Sequence, residues 1–231
     1  MKSIHNSKLQ FWSDEANSTL SPLKKKLAYL SLSVREEQLN FFLDKFKPVE
    51  KTQILNVGSS PAENLIDTNF FEKKYPFPQN LSIASVENCQ HLVKKYSLKK
   101  FHQVAPERYP FKNKQFEIIT SWATLEHVGG EKEQKHFLKE LDRIGKKVFL
   151  TTPYKYCFYE PHTELFLLHW LPNKTLRKIL KFLGKNFWAE ESNWRSLSIK
   201  QVKKILPNKK YKIYLYKMFG IIPSHLLIYK L

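Results

Sequence analysis

The chain has 231 residues, 42% of them hydrophobic, and carries 39 lysines and arginines against 21 acidic residues, a formal net charge of +18. This length and composition predict one soluble globular domain over residues 1–231, because a chain of this size can bury a full core. The longest apolar run, near 165–171, is too short to span a bilayer, and the two cysteines have neither metal-site nor disulfide spacing, which predicts a cytoplasmic protein.

The net positive charge leaves three interpretations open: solvated lysine faces, peripheral contact with an anionic membrane, or nucleic-acid binding. Only five of the basic residues are arginines. Because bidentate recognition of phosphates and bases favours arginine, we expect solvated lysine faces first, membrane contact second and nucleic acid last.

An N-terminal helical segment is expected over residues 1–50. Ser33 and Glu36 form a capping box, which predicts a helix over 33–46 that Pro48 closes. The segment before Ser33 offers apolar groups for an N-terminal lid. This helix is expected to cover the sheet formed by the strands that follow.

The first strand is predicted over 53–57, with Gly58 at the turn that follows it. Ser60 and Glu63 form a second capping box with Pro61 at the first helical position, so a helix is expected directly after the strand. Backbone N–H groups at such a helix start can receive an anionic group of a cofactor. The alternative is an ordinary capped turn.

The second strand is predicted over 81–87, after an aromatic and proline-rich loop over 70–80, and it ends on Glu87. A carboxylate at the tip of such a strand can accept both ribose hydroxyls of an adenosine cofactor, as it does in dinucleotide-binding folds. The alternative is a solvated glutamate at a strand end. A helix over 88–96 and a short third strand over 101–104 complete this half.

The stretch Phe116–Pro153 reads as one strand, loop, helix and strand. Adjacent isoleucines predict a buried parallel strand over 116–121, an amphipathic helix begins at Glu131 and ends at Gly145, and strand character resumes over 146–151. The loop between the first strand and the helix lies at the carboxyl end of the strand, where open parallel sheets bind ligands.

The motifs FEII, LEHV, FLKEL and TTP follow one another at set distances from the Gly58 turn and from Glu87. In this order they resemble the class I S-adenosylmethionine (SAM) dependent methyltransferases of type 11. The resemblance implies a Rossmann-like α/β fold with a mostly parallel seven-stranded sheet that ends in a C-terminal antiparallel hairpin, for which strands over 211–219 and 225–230 are available. It also implies SAM as the cofactor.

The resemblance further implies a set of cofactor-binding residues: Asn56, Gly58, Ser59, Ser60, Glu87, Trp122, Leu125 and Glu126. Two positions depart from the family pattern. Asn56 stands where the family usually has an acid at the end of the first strand, and Ala105 stands where it usually has an acid near the adenine.

A lid-like insertion is expected over 154–195, beyond the last motif. It contains a run of aromatic residues and a helix that Asn173 caps, with Arg177 and the lysines on its solvated side. Histidine suits proton transfer near neutral pH, so the candidates for a catalytic base are His127, His162 and His169. No histidine, cysteine or carboxylate spacing predicts a metal site.

The leading hypothesis is a SAM-dependent methyltransferase that acts on a small-molecule, glycan or lipid-linked acceptor. One alternative is a catalytically weakened methyltransferase-like binding protein, motivated by Asn56 and Ala105. A second alternative is an RNA methyltransferase. The acceptor cannot be deduced from the fold alone.

Overall fold

The computed structural model describes residues 22–62 and 66–231, apart from the side chains of residues 22–28. The lid expected before Ser33 therefore lies largely outside the described residues. The chain divides into two compact units, the first ending at Arg108 and the second beginning at Tyr109. The single domain expected from the composition stays a prediction.

The first unit contains three helices and three strands among its described residues: α1 (Pro22–Phe46), β1 (Ile54–Val57), α2 (Phe70–Lys74), β2 (Leu81–Ser85), α3 (Gln90–Lys95) and β3 (Lys100–Gln103). A 3-10 turn over Pro78–Asn80 precedes β2. The three strands pair in parallel, in the order β3-β2-β1. Strands β1 and β2 are buried along their whole length, as expected for parallel strands covered on both faces.

Helix α1 corrects the prediction of a helix that starts at Ser33. The helix is continuous from Pro22, so Ser33 and Glu36 lie inside it and cap nothing. No glycine or further proline interrupts the segment, and a helix that has nucleated extends until something stops it. The predicted apolar stripe is confirmed, since Phe42 is fully buried and meets the Phe71 ring of α2 edge to face at 5.6 Å.

The helix predicted directly after β1 is absent from the described residues 59–62 and 66–69, and Glu63 lies outside them. The Asn69 side chain holds this loop instead. Its Oδ1 accepts from the Ser60 N–H at 3.0 Å and its Nδ2 donates to the Ser60 carbonyl at 2.8 Å. The short helix α2 replaces the first part of the loop expected over 70–80.

The second unit contains strands β4 (Phe116–Trp122), β5 (Gly145–Pro153), β6 (Tyr159–Glu160), β7 (Leu165–Phe166), β8 (Lys212–Met218) and β9 (Ile222–Lys230). Its helices are α4 (Glu131–Ile144), α5 (Asn173–Phe182), α6 (Asn186–Ala189) and α7 (Ile199–Ile205), and 3-10 turns lie at Leu125–His127 and Leu168–Trp170. The predicted β-α-β unit of β4, α4 and β5 is confirmed, with β4 and β5 parallel.

Seven strands form a mixed sheet in the order β3-β2-β1-β4-β5-β9-β8, and β6 pairs with β7 in a separate hairpin. Strand β9 runs antiparallel to both β5 and β8, which confirms the predicted C-terminal hairpin. It begins at Ile222 rather than at the expected His225. The register shifts between Tyr216 and Lys217, opposite Pro223, where a proline can sit because the ladder is already irregular.

Helix α4 buries its predicted apolar stripe: Phe137, Leu138, Leu141 and Ile144. Gly145 ends the helix and starts β5, and its N–H donates to the Leu141 carbonyl. Among the described residues, no helix is both long enough and apolar enough to cross a bilayer.

Candidate active site

The turn after β1 is built on a buried carboxylate that the sequence did not reveal. Asn56 is 3% exposed, and its Nδ2 donates to Glu72 Oε1 at 2.8 Å. The Ser59 hydroxyl donates to the same oxygen at 2.5 Å. Glu72 lies in α2 and is itself buried. A buried carboxylate from a helix thus lies against the residue that ends β1 and holds the turn.

Gly58 lets the chain turn sharply at this point. Its φ of 101° lies in the region that glycine alone adopts freely, and its N–H donates to the Ala84 carbonyl of β2 at 2.8 Å. The Ser59 carbonyl accepts from the Cys89 thiol, 3.4 Å away. The turn after β1 thus lies against the segment that follows β2.

Glu87 lies in that segment, just beyond the end of β2, and is partly buried. Burial raises the pKa of its carboxyl group. Burial is also the largest cause that raises the pKa of the Cys89 thiol to about 12, and the carboxylates of Glu87 and Glu72 raise it further. The first unit therefore gathers Asn56, Glu72, Glu87 and Cys89 around one turn. Ala105 lies apart, exposed and bridged to Arg108.

The remaining cofactor candidates lie in the second unit, at the carboxyl end of β4. Trp122 is buried and its ring lies 5.2 Å from that of Phe149. Leu125 and Glu126, both fully buried, follow in the 3-10 turn. Glu126 Oε2 accepts from the Thr152 hydroxyl of β5 at 2.9 Å, which fixes the orientation of its carboxylate.

Two of the three candidate histidines are in direct contact. His127 Nε2 and His162 Nε2 are 2.9 Å apart. His127 Nδ1 faces the Asn193 carbonyl oxygen at 3.1 Å, and His162 Nδ1 faces Glu160 Oε1 at 2.5 Å. The side chains of His127 and His162 are 17% and 18% exposed, so both remain accessible from solvent.

Glu160 supports this pair from inside the lid-like insertion. Its other oxygen, Oε2, accepts from the Thr163 N–H at 2.7 Å and from the Thr163 hydroxyl at 3.0 Å. Burial, the largest influence, would raise the pKa of the Glu160 carboxyl. The nearby His162 and these hydrogen bonds outweigh it, so that the pKa is lowered on balance.

The contact between the two histidines completes a group of side chains that could hold a metal ion, which the sequence spacing did not indicate. One ligand atom from each of Glu126, His127 and His162 lies within 4.8 Å of the other two. Glu126 and His127 are neighbours, but His162 is 35 residues from His127, so no local spacing could have revealed the cluster.

His169 has different surroundings from the other two candidates. It is fully buried, its Nε2 lies 2.9 Å from the Cys157 carbonyl oxygen, and burial lowers its pKa. This placement argues against the catalytic role predicted for His169. Arg177 also departs from expectation: its guanidinium donates to the Trp194 carbonyl at 2.6 Å and lies over the Trp194 ring rather than in solvent.

With this geometry established, comparison with known proteins gives a consistent result. A family model described as a methyltransferase domain matches residues 77–148, which run from just before β2 into β5 and include Glu87 and the LEHV turn. No curated protein sequence matches the chain.

Several solved structures share the fold. The magnesium protoporphyrin IX methyltransferase of Synechocystis PCC 6803 with bound SAH superposes with a TM-score of 0.57 at 9% identity, covering 93% of this chain and 89% of that one. The YcgJ protein of Bacillus subtilis has a TM-score of 0.54 at 12% identity, covering 84% of this chain and 97% of that one. The PH0226 protein of Pyrococcus horikoshii OT3 has a TM-score of 0.54 at 13% identity, covering 86% of this chain and 89% of that one.

The fold is that of the class I SAM-dependent methyltransferases, as the sequence motifs predicted. The family match and the shared fold support methyl transfer as the activity and SAM as the cofactor.

Proposed function

We propose that the protein is an active SAM-dependent methyltransferase whose acceptor is a small molecule, a glycan or a lipid-linked compound. The arrangement of the first unit carries this proposal: the Gly58 turn, with Glu72 beneath it, lies beside the segment that holds Glu87. Glu72 also weakens the alternative of a degenerate binding protein, because it supplies the carboxylate that Asn56 lacks.

Each cofactor residue has a role consistent with its position. Gly58, Ser59 and Ser60 present the backbone of the turn, and the Glu87 carboxylate suits the ribose hydroxyls. Trp122, Leu125 and Glu126 shape the carboxyl end of β4. SAM supplies the activated methyl group when bound. His162 and His127 are the candidate residues for contact with the acceptor, since they combine titratable rings with solvent access.

Replacement of Glu87 by alanine is expected to weaken SAM binding. Losing a charged acceptor of two hydroxyl hydrogen bonds costs about 1.5 to 3 kcal/mol, which corresponds to roughly 10- to 150-fold in Kd. Calorimetric titration of wild type and Glu87→Ala with SAM and S-adenosylhomocysteine measures this. Glu36→Ala removes an exposed acid from α1 and should bind SAM as wild type does. Equal affinity of Glu87→Ala and wild type would disprove the assignment, and a wild type that binds neither ligand would disprove the function.

An RNA acceptor is disfavoured by the arginines. Arg35 pairs with Asp67, Arg143 with Glu140 and Arg195 with Glu131. Arg177 is bonded to backbone carbonyls. The side chains best suited to phosphate recognition are thus engaged within the protein, and only Arg108 is exposed.

A lipid-linked acceptor is favoured by exposed apolar side chains of the second unit, around α5 and the β6–β7 hairpin. These residues are Tyr156, Phe158, Phe166, Leu167, Trp170, Phe182 and Leu183. The exposed lysines of α5 are Lys174, Lys178 and Lys181. Aromatic groups flanked by lysines suit the boundary between acyl chains and anionic headgroups.

Phe182, 90% exposed, is the residue on which this membrane contact is best tested. Removing one inserted phenylalanine forfeits about 1.5 to 3 kcal/mol of burial, so Phe182→Asp is expected to bind anionic vesicles at least about tenfold more weakly in co-sedimentation. Phe219→Asp makes the same change at an exposed site in the β8–β9 turn and should behave as wild type. If wild type does not bind phosphatidylglycerol vesicles at physiological salt, the membrane contact is wrong.

A further inference from the structure

The hydrogen bonds around His127 and His162 fix the proton positions on both rings. The Asn193 carbonyl oxygen can only accept, so His127 Nδ1, 3.1 Å away, carries the proton of a neutral ring. His162 Nδ1 lies 2.5 Å from Glu160 Oε1, in a carboxylate whose second oxygen already accepts from the Thr163 N–H. His162 Nδ1 is therefore the donor as well.

With Nδ1 as the donor, Nε2 is the atom through which each ring can bind a cation, and these two nitrogens lie 2.9 Å apart. Two imidazole nitrogens at that distance share either a proton or a metal ion. Glu126 Oε1, from a fully buried side chain, is 4.0 Å from His127 Nε2. A carboxylate thus lies beside the two nitrogens, and these three ligand atoms, all within 4.8 Å of one another, form a ligand set for a cation.

We propose that Glu126, His127 and His162 form a binding site for a divalent first-row transition-metal ion, with Zn²⁺ the best match. Two histidines and one carboxylate are a ligand set that Zn²⁺ takes and that Mg²⁺ and Ca²⁺, which prefer oxygen, do not. The inference does not rest on methyl transfer.

The distances fit such a site with one small adjustment. Ligand atoms about 2.0 to 2.1 Å from Zn²⁺, at angles of about 90 to 110°, lie roughly 2.8 to 3.4 Å apart. The two Nε2 atoms, 2.9 Å apart, already meet this spacing. Glu126 Oε1 lies 4.0 Å from His127 Nε2, so metal binding requires it to move closer by roughly 0.6 to 1.2 Å.

The surroundings also match those of metal-binding histidines. Such rings normally donate their second N–H to a carbonyl or carboxylate, which fixes their orientation and raises their basicity. The Asn193 carbonyl oxygen is such an acceptor for His127 Nδ1, and the Glu160 carboxylate is one for His162 Nδ1. The Trp188 ring, 5.3 Å from that of His162, shields the site on one side. Three protein ligands leave one position for water or for an oxygen of a small molecule.

The test is titration of the chelator-treated full-length protein with zinc sulfate by calorimetry, with magnesium chloride as a second titrant. We expect one Zn²⁺ per chain, a higher melting temperature in its presence, and no effect of Mg²⁺. Cobalt chloride in place of zinc should give the visible absorption of a four-coordinate site. These readouts need neither SAM nor an acceptor, so their failure is separate from failure of the proposed function.

Variants locate the bound ion. His162→Ala and Glu126→Gln should each weaken zinc binding at least tenfold. Glu160→Gln replaces the carboxylate that accepts from His162 and from Thr163, and it should weaken zinc binding about 10- to 100-fold. His91→Ala removes an exposed histidine from α3 and should bind zinc as wild type does. Near-ultraviolet circular dichroism checks each fold, and Glu160→Gln decides the case if the other two variants unfold.

Two results overturn the proposal. One is a wild-type protein that takes up no zinc at one equivalent, which would mean that the two rings share a proton instead. The other is undiminished zinc affinity in all three folded variants, which would place the ion elsewhere.

Discussion

Replacement of Glu72 by alanine is expected to destabilise the protein by about 2 to 4 kcal/mol. Two buried donors, the Asn56 amide and the Ser59 hydroxyl, lose their common acceptor. Each buried donor left without an acceptor costs about 1 to 3 kcal/mol. The turn that holds Gly58 should also lose its order. Fixing a loop residue again upon ligand binding costs about 1 to 2 kcal/mol, so SAM affinity should fall roughly tenfold or more.

Urea unfolding and calorimetry measure the two effects on the same samples. Glu72→Gln keeps one oxygen acceptor and should recover part of both losses. Lys74→Ala changes an exposed residue of the same helix and should leave both quantities within about 0.5 kcal/mol of wild type. If Glu72→Ala unfolds at the wild-type urea concentration and binds SAM normally, the carboxylate has no structural role in the turn.

Replacement of Arg143 by alanine should have the largest effect on stability, about 3 to 5 kcal/mol, because it leaves the largely buried Glu140 carboxylate without its partner. The guanidinium forms two parallel hydrogen bonds to Glu140, both 2.8 Å long. It also donates to the carbonyls of Tyr109, at 3.0 Å, and Phe111, at 2.7 Å. Arg143→Lys keeps the charge but cannot form this set, so it should rescue only part of the loss.

The pH dependence of stability tests the same pair, Arg143 and Glu140, in a second way. The hydrogen bonds from Arg143 are the largest cause of the lowered pKa of Glu140, and they outweigh burial, which raises it. Because the folded-state pKa of Glu140 lies below its ordinary value of 4.5, the ionised carboxylate stabilises the folded protein. This stabilisation is fully present above pH 4.5 and is lost as the pH falls through the folded-state pKa.

Urea unfolding of wild type and Arg143→Ala at several pH values tests this dependence. The difference between their free energies of unfolding should become smaller at low pH, because protonated Glu140 no longer pairs with Arg143. A difference that stays constant from pH 7 to pH 3 would contradict this account.

The sequence predicted the second unit's β-α-β element well because periodicity reports burial directly. The apolar stripe of α4 and the isoleucines of β4 must face a core wherever the helix and the strand are placed. The capping boxes were less informative, because the same short pattern occurs inside a helix. Ser33 and Glu36 lie in the interior of α1, and only the rest of the chain decides where a helix begins.

The candidate sites were only partly predictable for a different reason. Glu87 and the LEHV turn lie at strand ends, which local patterns locate. The partner of Asn56 is a glutamate 16 residues away, and that of His127 is a histidine 35 residues away. Nothing in the local sequence of His162 indicates which ring it meets, since that depends on how the lid-like insertion folds back.

The pairing of Asn56 with Glu72 makes these two positions depend on each other. An aspartate at position 56 would set two carboxylates at the 2.8 Å that now separates donor and acceptor. An acid introduced at position 56 alone would therefore destabilise the turn. The effect of a change at either position is set by the residue at the other, so the two are best exchanged together.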